Sequence, residues 1–139
     1  MIEELKLEDL YEAADVYLLG ISFQIPPAYA TLENIAEKLK KLKVFVYKEQ
    51  GVIGLVSFSE NKEINIDFIC SLRFGEGIGG SLMRRVFRYA KQRKIKVIKA
   101  DVSSIDERAQ EFYHKIGFKK TSEKTLANGF KALTVSKKV

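Results

Sequence analysis

The 139 residues suit one compact domain around a single core, and 46% hydrophobic with 30% charged residues exclude a disordered chain. The only cysteine, Cys70, and the only histidine, His114, exclude a disulfide framework and a Cys/His zinc site within the chain, so a reducing cytoplasm and no metal are expected. The formal charge of +6 favours anionic partners, yet the lysines form no long basic block and no apolar run approaches the ~20 residues of a membrane span, so neither nucleic acid nor membrane is an expected partner.

The first residues, Met1 to Lys6, are acidic, carry no signal-peptide pattern and can form a short strand. Leu7, Leu10, Ala13, Ala14 and Tyr17 then recur at helical spacing as far as Gly20, which reads as a helix stop. Thr31 is placed to cap a second helix with the apolar stripe Leu32, Ile35, Ala36 and Leu39. From Val44 the period becomes that of strands: a hairpin turns at Gln50-Gly51, and a third run, Ile64 to Cys70, is expected to put Ile64, Ile66 and Phe68 on one face. A helix carrying Leu82, Met83, Val86, Phe87 and Ala90 follows a glycine cluster, and a strand covers Ile95 to Val102. Ser104 and Glu107 read as a capping box for a helix that Gly117 ends, and the strands Phe118 to Thr125 and Phe130 to Val135 flank the hairpin turn Asn128-Gly129. The order β-α-α-β-β-β-α-β-α-β-β predicts a single α/β domain over residues 1–139, a mixed sheet flanked by helices.

Between the third main strand and its helix lies Gly75-Glu76-Gly77-Ile78-Gly79-Gly80, followed by Ser81. A strand entering a helix through such a turn presents bare backbone N–H groups at the positive end of the helix dipole, a cradle for phosphate. A Walker A loop is excluded because no lysine precedes Ser81. Gly75, Gly77 and Gly80 do satisfy the dinucleotide fingerprint G-x-G-x-x-G, with Asp101 near the end of the next strand, but only one helix and two strands follow, and Glu63, Asn65 and Asp67 interrupt the preceding strand. A dinucleotide-binding domain therefore stands as a rival.

The third class is acyl-coenzyme A binding. Gly77-Ile78-Gly79 before Ser81-Leu82-Met83 resembles the end of the glycine motif of the GNAT superfamily of N-acetyltransferases, with Phe74 at the position usually held by Gln or Arg and Arg73 one residue earlier. The segment Asp106 to Phe118 is similar to the family's second signature, Asn-x-x-Ala, then an aromatic pair ending in Tyr, three residues and Gly-Phe, with Asp106 in place of the Asn. The resemblance implies a GNAT-like fold, acetyl-CoA or another acyl-CoA as donor, and a primary amine of a small molecule or peptide as acceptor. It allows a homodimer. A module that senses acyl-CoA without turnover is the alternative that the Phe74 and Asp106 departures keep open.

Transfer from a thioester to an amine needs a held donor, an unprotonated amine, polarisation of the thioester carbonyl and a proton for the departing sulfur. The resemblance implies that the backbone of Ile69, Cys70 and Ser71 lies along the pantetheine, that Phe74, Gly75, Glu76, Gly77, Ile78, Gly79, Gly80 and Ser81 border the pyrophosphate, and that Asp106 stands where a polar contact to the pantetheine is usual. It implies Tyr113 as the acid that protonates sulfur and Glu63 as a base acting through water, with Asp67 projecting from the same strand face. Arg84 and Arg85 are expected to reach toward the nucleotide phosphate. Cys70, with no activating partner in view, is read as packing, and His114 as an exposed helix residue. The resemblance implies an acceptor pocket built from Phe23 to Tyr29 and Leu126 to Phe130, and Phe23, Ile25, Pro26, Pro27 and Tyr29 would give it an apolar or aromatic wall.

Overall fold

The computed structural model describes residues 1–21, 30–127 and 129–139. The chain runs β1 (Ile2–Glu4), a 3-10 turn (Leu7–Asp9), α1 (Leu10–Ile21), α2 (Leu32–Lys40), β2 (Lys43–Lys48), β3 (Val52–Glu60), β4 (Ile64–Ser71), α3 (Ile78–Gln92), β5 (Val97–Ser103), α4 (Glu107–Lys115), β6 (Lys119–Thr125) and β7 (Lys131–Lys138). Apart from the 3-10 turn, this is the order that periodicity predicts. The strands form one sheet in the order β1-β2-β3-β4-β5-β7-β6.

Two apolar clusters sandwich the sheet. On one face α1 and α2 bury Leu10, Ala13, Tyr17, Ile35 and Leu39 against Val44, Val46 and Leu55. On the other, α3 seats Leu82, Met83, Val86 and Ala90 on Phe45, Phe58, Ile64 and Ile98, with α4 adding Tyr113. The helices stand where their apolar stripes direct them. Thr31 caps α2, its Oγ1 accepting the Asn34 N–H at 3.2 Å, and Gly117, at φ +98°, takes the chain out of α4. No described helix is long and apolar enough to cross a membrane.

Three local expectations are corrected. Gly20 does not stop α1, which continues to Ile21; a Cβ at Gly20 would lie 2.8 Å from the Phe68 ring and 3.0 Å from the Cys70 Cβ, so the glycine lets the helix lie close on β4. Asp106, not Ser104, caps α4: its Oδ1 accepts the Ala109 N–H at 3.0 Å. Phe68 does not share the face of Ile64 and Ile66, because the β3–β4 register shifts by one residue between Ser57↔Phe68 and Phe58↔Ile66. Asp67 is the extra residue of that bulge, and beyond it the strand's parity is reversed, so that Phe68 and Cys70 pack on the α1 side.

Every described strand pair is antiparallel except β4–β5, and that parallel seam is short: Ile64↔Ile98, Asn65↔Lys99 and Ile66↔Ala100. Beyond Ile66 the two strands part. At one edge of the sheet β6 (Lys119–Thr125) is exposed along its whole length.

Candidate active site

The parting of β4 and β5 leaves a cleft whose walls are backbone. The Leu72 N–H bonds to the Ile53 carbonyl at 2.8 Å, so strand alternation turns the polar groups of Phe68 and Cys70 toward β3 and those of Ile69 and Ser71 toward the cleft. Of the three residues expected along a pantetheine arm, Ile69 and Ser71 thus have open backbone groups, whereas those of Cys70 serve the β3 ladder. The Cys70 thiol faces the Val16 carbonyl at 3.8 Å, and burial pushes it up to about 12, which leaves it protonated and inert. Asp67 is exposed as a residue although its side chain retains only 20% exposure; the bulge has bared its backbone to the cleft.

The cleft runs into the glycine turn. Ser71 Oγ donates to the Arg73 carbonyl at 2.8 Å and accepts the Arg73 N–H at 3.1 Å, folding the chain back at the strand end. Gly75 and Gly77 have φ of +76° and +73°, conformations that side chains resist, and a Cβ at either would meet nothing within 4 Å. Gly77 is the N-cap of α3 and makes no side-chain cap bond. The Ser81 N–H bonds to the Gly77 carbonyl at 3.0 Å, so the N–H groups of Ile78, Gly79 and Gly80 precede the first helical bond. No acidic residue sits in the helix's first turn. Open space, uncapped donors and the helix dipole together suit a pyrophosphate. Gly79 also lets α3 approach α4, since a Cβ there would lie 3.1 Å from the Phe112 ring.

The charged groups near the turn divide into paired and available. Arg73 is held by Glu49 at 2.7 Å and by Glu76 at 3.6 Å. Arg84 lies at the turn, donating to Ser81 Oγ at 3.0 Å. Arg85, expected beside it, points elsewhere: its guanidinium stacks 4.3 Å over Phe45, with Nη1 buried and unbonded. Arg108, which the sequence did not single out, stands 4.5 Å over the ring of Phe74, itself 67% exposed, and so brings a cation from α4 to the Gln/Arg position.

Tyr113 is 5% exposed and packs edge-on against Phe112 and Phe118, with ring centroids 5.3 and 5.1 Å away. Burial, with a smaller contribution from the Asp106 carboxylate, pushes its phenol well above the ordinary value, so it keeps its proton at neutral pH. His114 is exposed.

The sheet face on the α1–α2 side of the seam is polar. Glu63, one residue before the seam, pairs with Lys99 at 3.1 Å. Asp101, one residue past the seam's last pair on β5, accepts from Thr134 Oγ1 at 2.7 Å and pairs with Lys124 at 2.6 Å. Burial pushes Asp101 up, but Lys124 and Thr134 more than offset this and hold it below the usual carboxylate range. Asp67 meets Tyr17, Lys38 and Ser57. Asp67 was legible as an acid in an apolar strand; its partners, scattered along the chain, were not. The Phe23 to Tyr29 wall lies outside the described residues, and of the 126–130 loop the Leu126 N–H bonds to the Phe130 carbonyl at 2.7 Å.

The sequence family described as "Acetyltransferase (GNAT) domain" matches residues 22–139. No curated protein matches the chain. Among solved structures, the ribosomal-protein-alanine N-acetyltransferase of Brucella melitensis superposes with a TM-score of 0.82 at 18% identity, over 100% of this chain and 99% of that one. The ribosomal-protein-S18-alanine N-acetyltransferase of Escherichia coli gives 0.81 at 14%, over 99% and 92%. A Bacillus anthracis protein assigned as a streptothricin acetyltransferase, solved in complex with acetyl coenzyme A, gives 0.66 at 17%, over 71% and 63%.

Proposed function

Since the chain belongs to the GNAT acetyltransferase family, we propose that it transfers an acetyl group from acetyl-CoA directly to a primary amine of a peptide or small molecule. The observation that carries the reading is the continuity of the β4–β5 cleft with the uncapped glycine turn, which joins a backbone-lined slot to an anion cradle. The donor supplies an acyl group already activated as a thioester. The backbone of Ile69 and Ser71 orients its arm, the N–H groups of Ile78, Gly79 and Gly80 take its pyrophosphate, and Arg84 and Arg108 add positive charge at the rim. Phe74 gives Arg108 a face to rest on, so the cation that the Gln/Arg position lacks arrives from α4. Asp106 acts on the site through α4, whose first turn it caps.

Tyr113 donates its proton toward the departing sulfur; burial keeps the phenol protonated at neutral pH and also makes it a weaker acid, so the transfer is driven by the negative charge that develops on sulfur. The amine loses its proton through water to a carboxylate beside the seam. Glu63 is the strand residue proposed for this, and Asp101 is the second carboxylate that borders the seam.

The acceptor lies over the polar face. The names of the two ribosomal-protein-alanine enzymes of similar fold make a peptide with an N-terminal alanine one amine to try, alongside free amino acids and polyamines. Thiol release from acetyl-CoA, followed with each amine, tests the reading. Turnover above the hydrolytic background with any of them is the expected result; saturable acetyl-CoA binding with no turnover across the panel would make the chain a sensing module instead.

A further inference from the structure

The carboxylate of Asp67, the bulge residue of β4, is gripped from three other elements. Lys38 Nζ of α2 lies 2.8 Å from Oδ1, while Tyr17 Oη of α1 and Ser57 Oγ of β3 donate to Oδ2 at 3.0 and 2.7 Å. Lys38 also donates to Tyr17 Oη at 3.0 Å, closing a ring of Lys38, Tyr17 and Asp67. The Tyr17 ring packs on Phe68, the residue just past the bulge, at 4.6 Å. Burial, opposed by Lys38, pushes the Tyr17 phenol up to about 12, so it is a standing donor at neutral pH.

Such a cluster is a poor source of stability, because partly buried charges lose hydration that their attraction only roughly restores. Its placement suggests a second use. Continuing the parallel register one step beyond Ile66↔Ala100 would set Asp67 directly beside Asp101. Removing the bulge would also carry Phe68 to the opposite face. The grip from Lys38, Tyr17 and Ser57 opposes closure of β4 onto β5, and closure would also crowd the Asp67–Lys38 pair against the Asp101–Lys124 pair.

We propose that Asp67 is a positioning residue for the acyl donor: anchored by Lys38, Tyr17 and Ser57, it fixes the bulge that keeps the β4–β5 cleft open before the donor arrives. The proposal rests on the cleft being the acetyl-CoA slot. Calorimetric titration of coenzyme A into wild type, Asp67→Asn and Tyr17→Phe, with steady-state kinetics on both substrates, tests it. In Asp67→Asn, coenzyme A binding weakens by about tenfold or more and the KM for acetyl-CoA rises in step, while kcat and the amine KM change by less than about threefold. Tyr17→Phe, which keeps the ring on Phe68, shows the same split at roughly threefold; it carries the test if Asp67→Asn does not fold. Wild type that fails to bind coenzyme A overturns the donor reading itself. Wild type that binds, beside folded variants that bind equally well or lose affinity for both substrates alike, overturns the proposal and leaves the donor reading standing.

Discussion

The glycine turn and the Asp67 cluster flank one cleft, yet they are built by opposite means. At the turn, side chains have been removed: Gly75 and Gly77 leave open space, and the donors are main-chain N–H groups fixed by the start of α3. At the bulge, side chains have been gathered from α1, α2, β3 and β4 around one carboxylate. A main-chain cradle meets an anion with N–H groups and leaves the cations Arg84 and Arg108 to its rim, whereas the side-chain cluster touches no donor atom in the proposed scheme and acts through the path of its strand. Recognition and positioning are therefore separable by mutation.

The largest effect is expected at neither of the two. Tyr113→Phe removes the proton donor while keeping the ring between Phe112 and Phe118, and kcat should fall about 100-fold with little change in the acetyl-CoA KM or the melting temperature. An undiminished rate would remove Tyr113 from the chemistry and return it to the core. Next is the turn itself. Gly77→Val forces a β-branched residue into φ +73° at a cost of roughly 1–2 kcal/mol and fills the open cradle, so coenzyme A affinity should drop by about tenfold or more. Equal affinity in calorimetry would mean that the turn is a packing device only.

The smallest effect concerns pH and sharpens the other side of the comparison. Burial raises the Tyr17 phenol to about 12; burial lowers the Lys38 ammonium, but Asp67 and Tyr17 more than offset this and leave it above its ordinary value. Both folded values are raised, so the stability linked to them is complete below about pH 10 and is lost as pH climbs through the folded values. The difference in melting temperature between wild type and Tyr17→Phe should stay level from pH 7 to 9 and narrow above about pH 10. A difference that shrinks already at neutral pH would show that the phenol is not held as described.

What the sequence made legible follows the same division. The element order was readable because amphipathic stripes such as Leu82, Met83, Val86 and Ala90 are local, and the turn because four glycines lie within six residues. The bulge was not: an alternation from Ile64 to Cys70 carries no mark of an extra residue, so the pattern alone puts Phe68 on the wrong face. The Asp67 cluster joins positions 17, 38, 57 and 67, and no spacing rule connects them. Gly20 misled for a related reason, since a glycine demanded by a neighbouring ring resembles one that ends a helix. The cap of α4 was not legible either, because it depends on where α4 begins, a boundary that Ser104 and Glu107 satisfy in the sequence as well as Asp106 does.

The shortness of the β4–β5 seam bears on how the molecule assembles. β1 to β4 form one antiparallel ribbon and β5 to β7 another, and among the described strands only three residue pairs knit the ribbons together. Strands β2, β3 and β4 meet through short connections, whereas the seam must wait for α3 to cross from the end of β4 to the start of β5. Its closure therefore depends on a longer-range connection than the pairing of β2, β3 and β4, and it is the joint on which the width of the cleft depends.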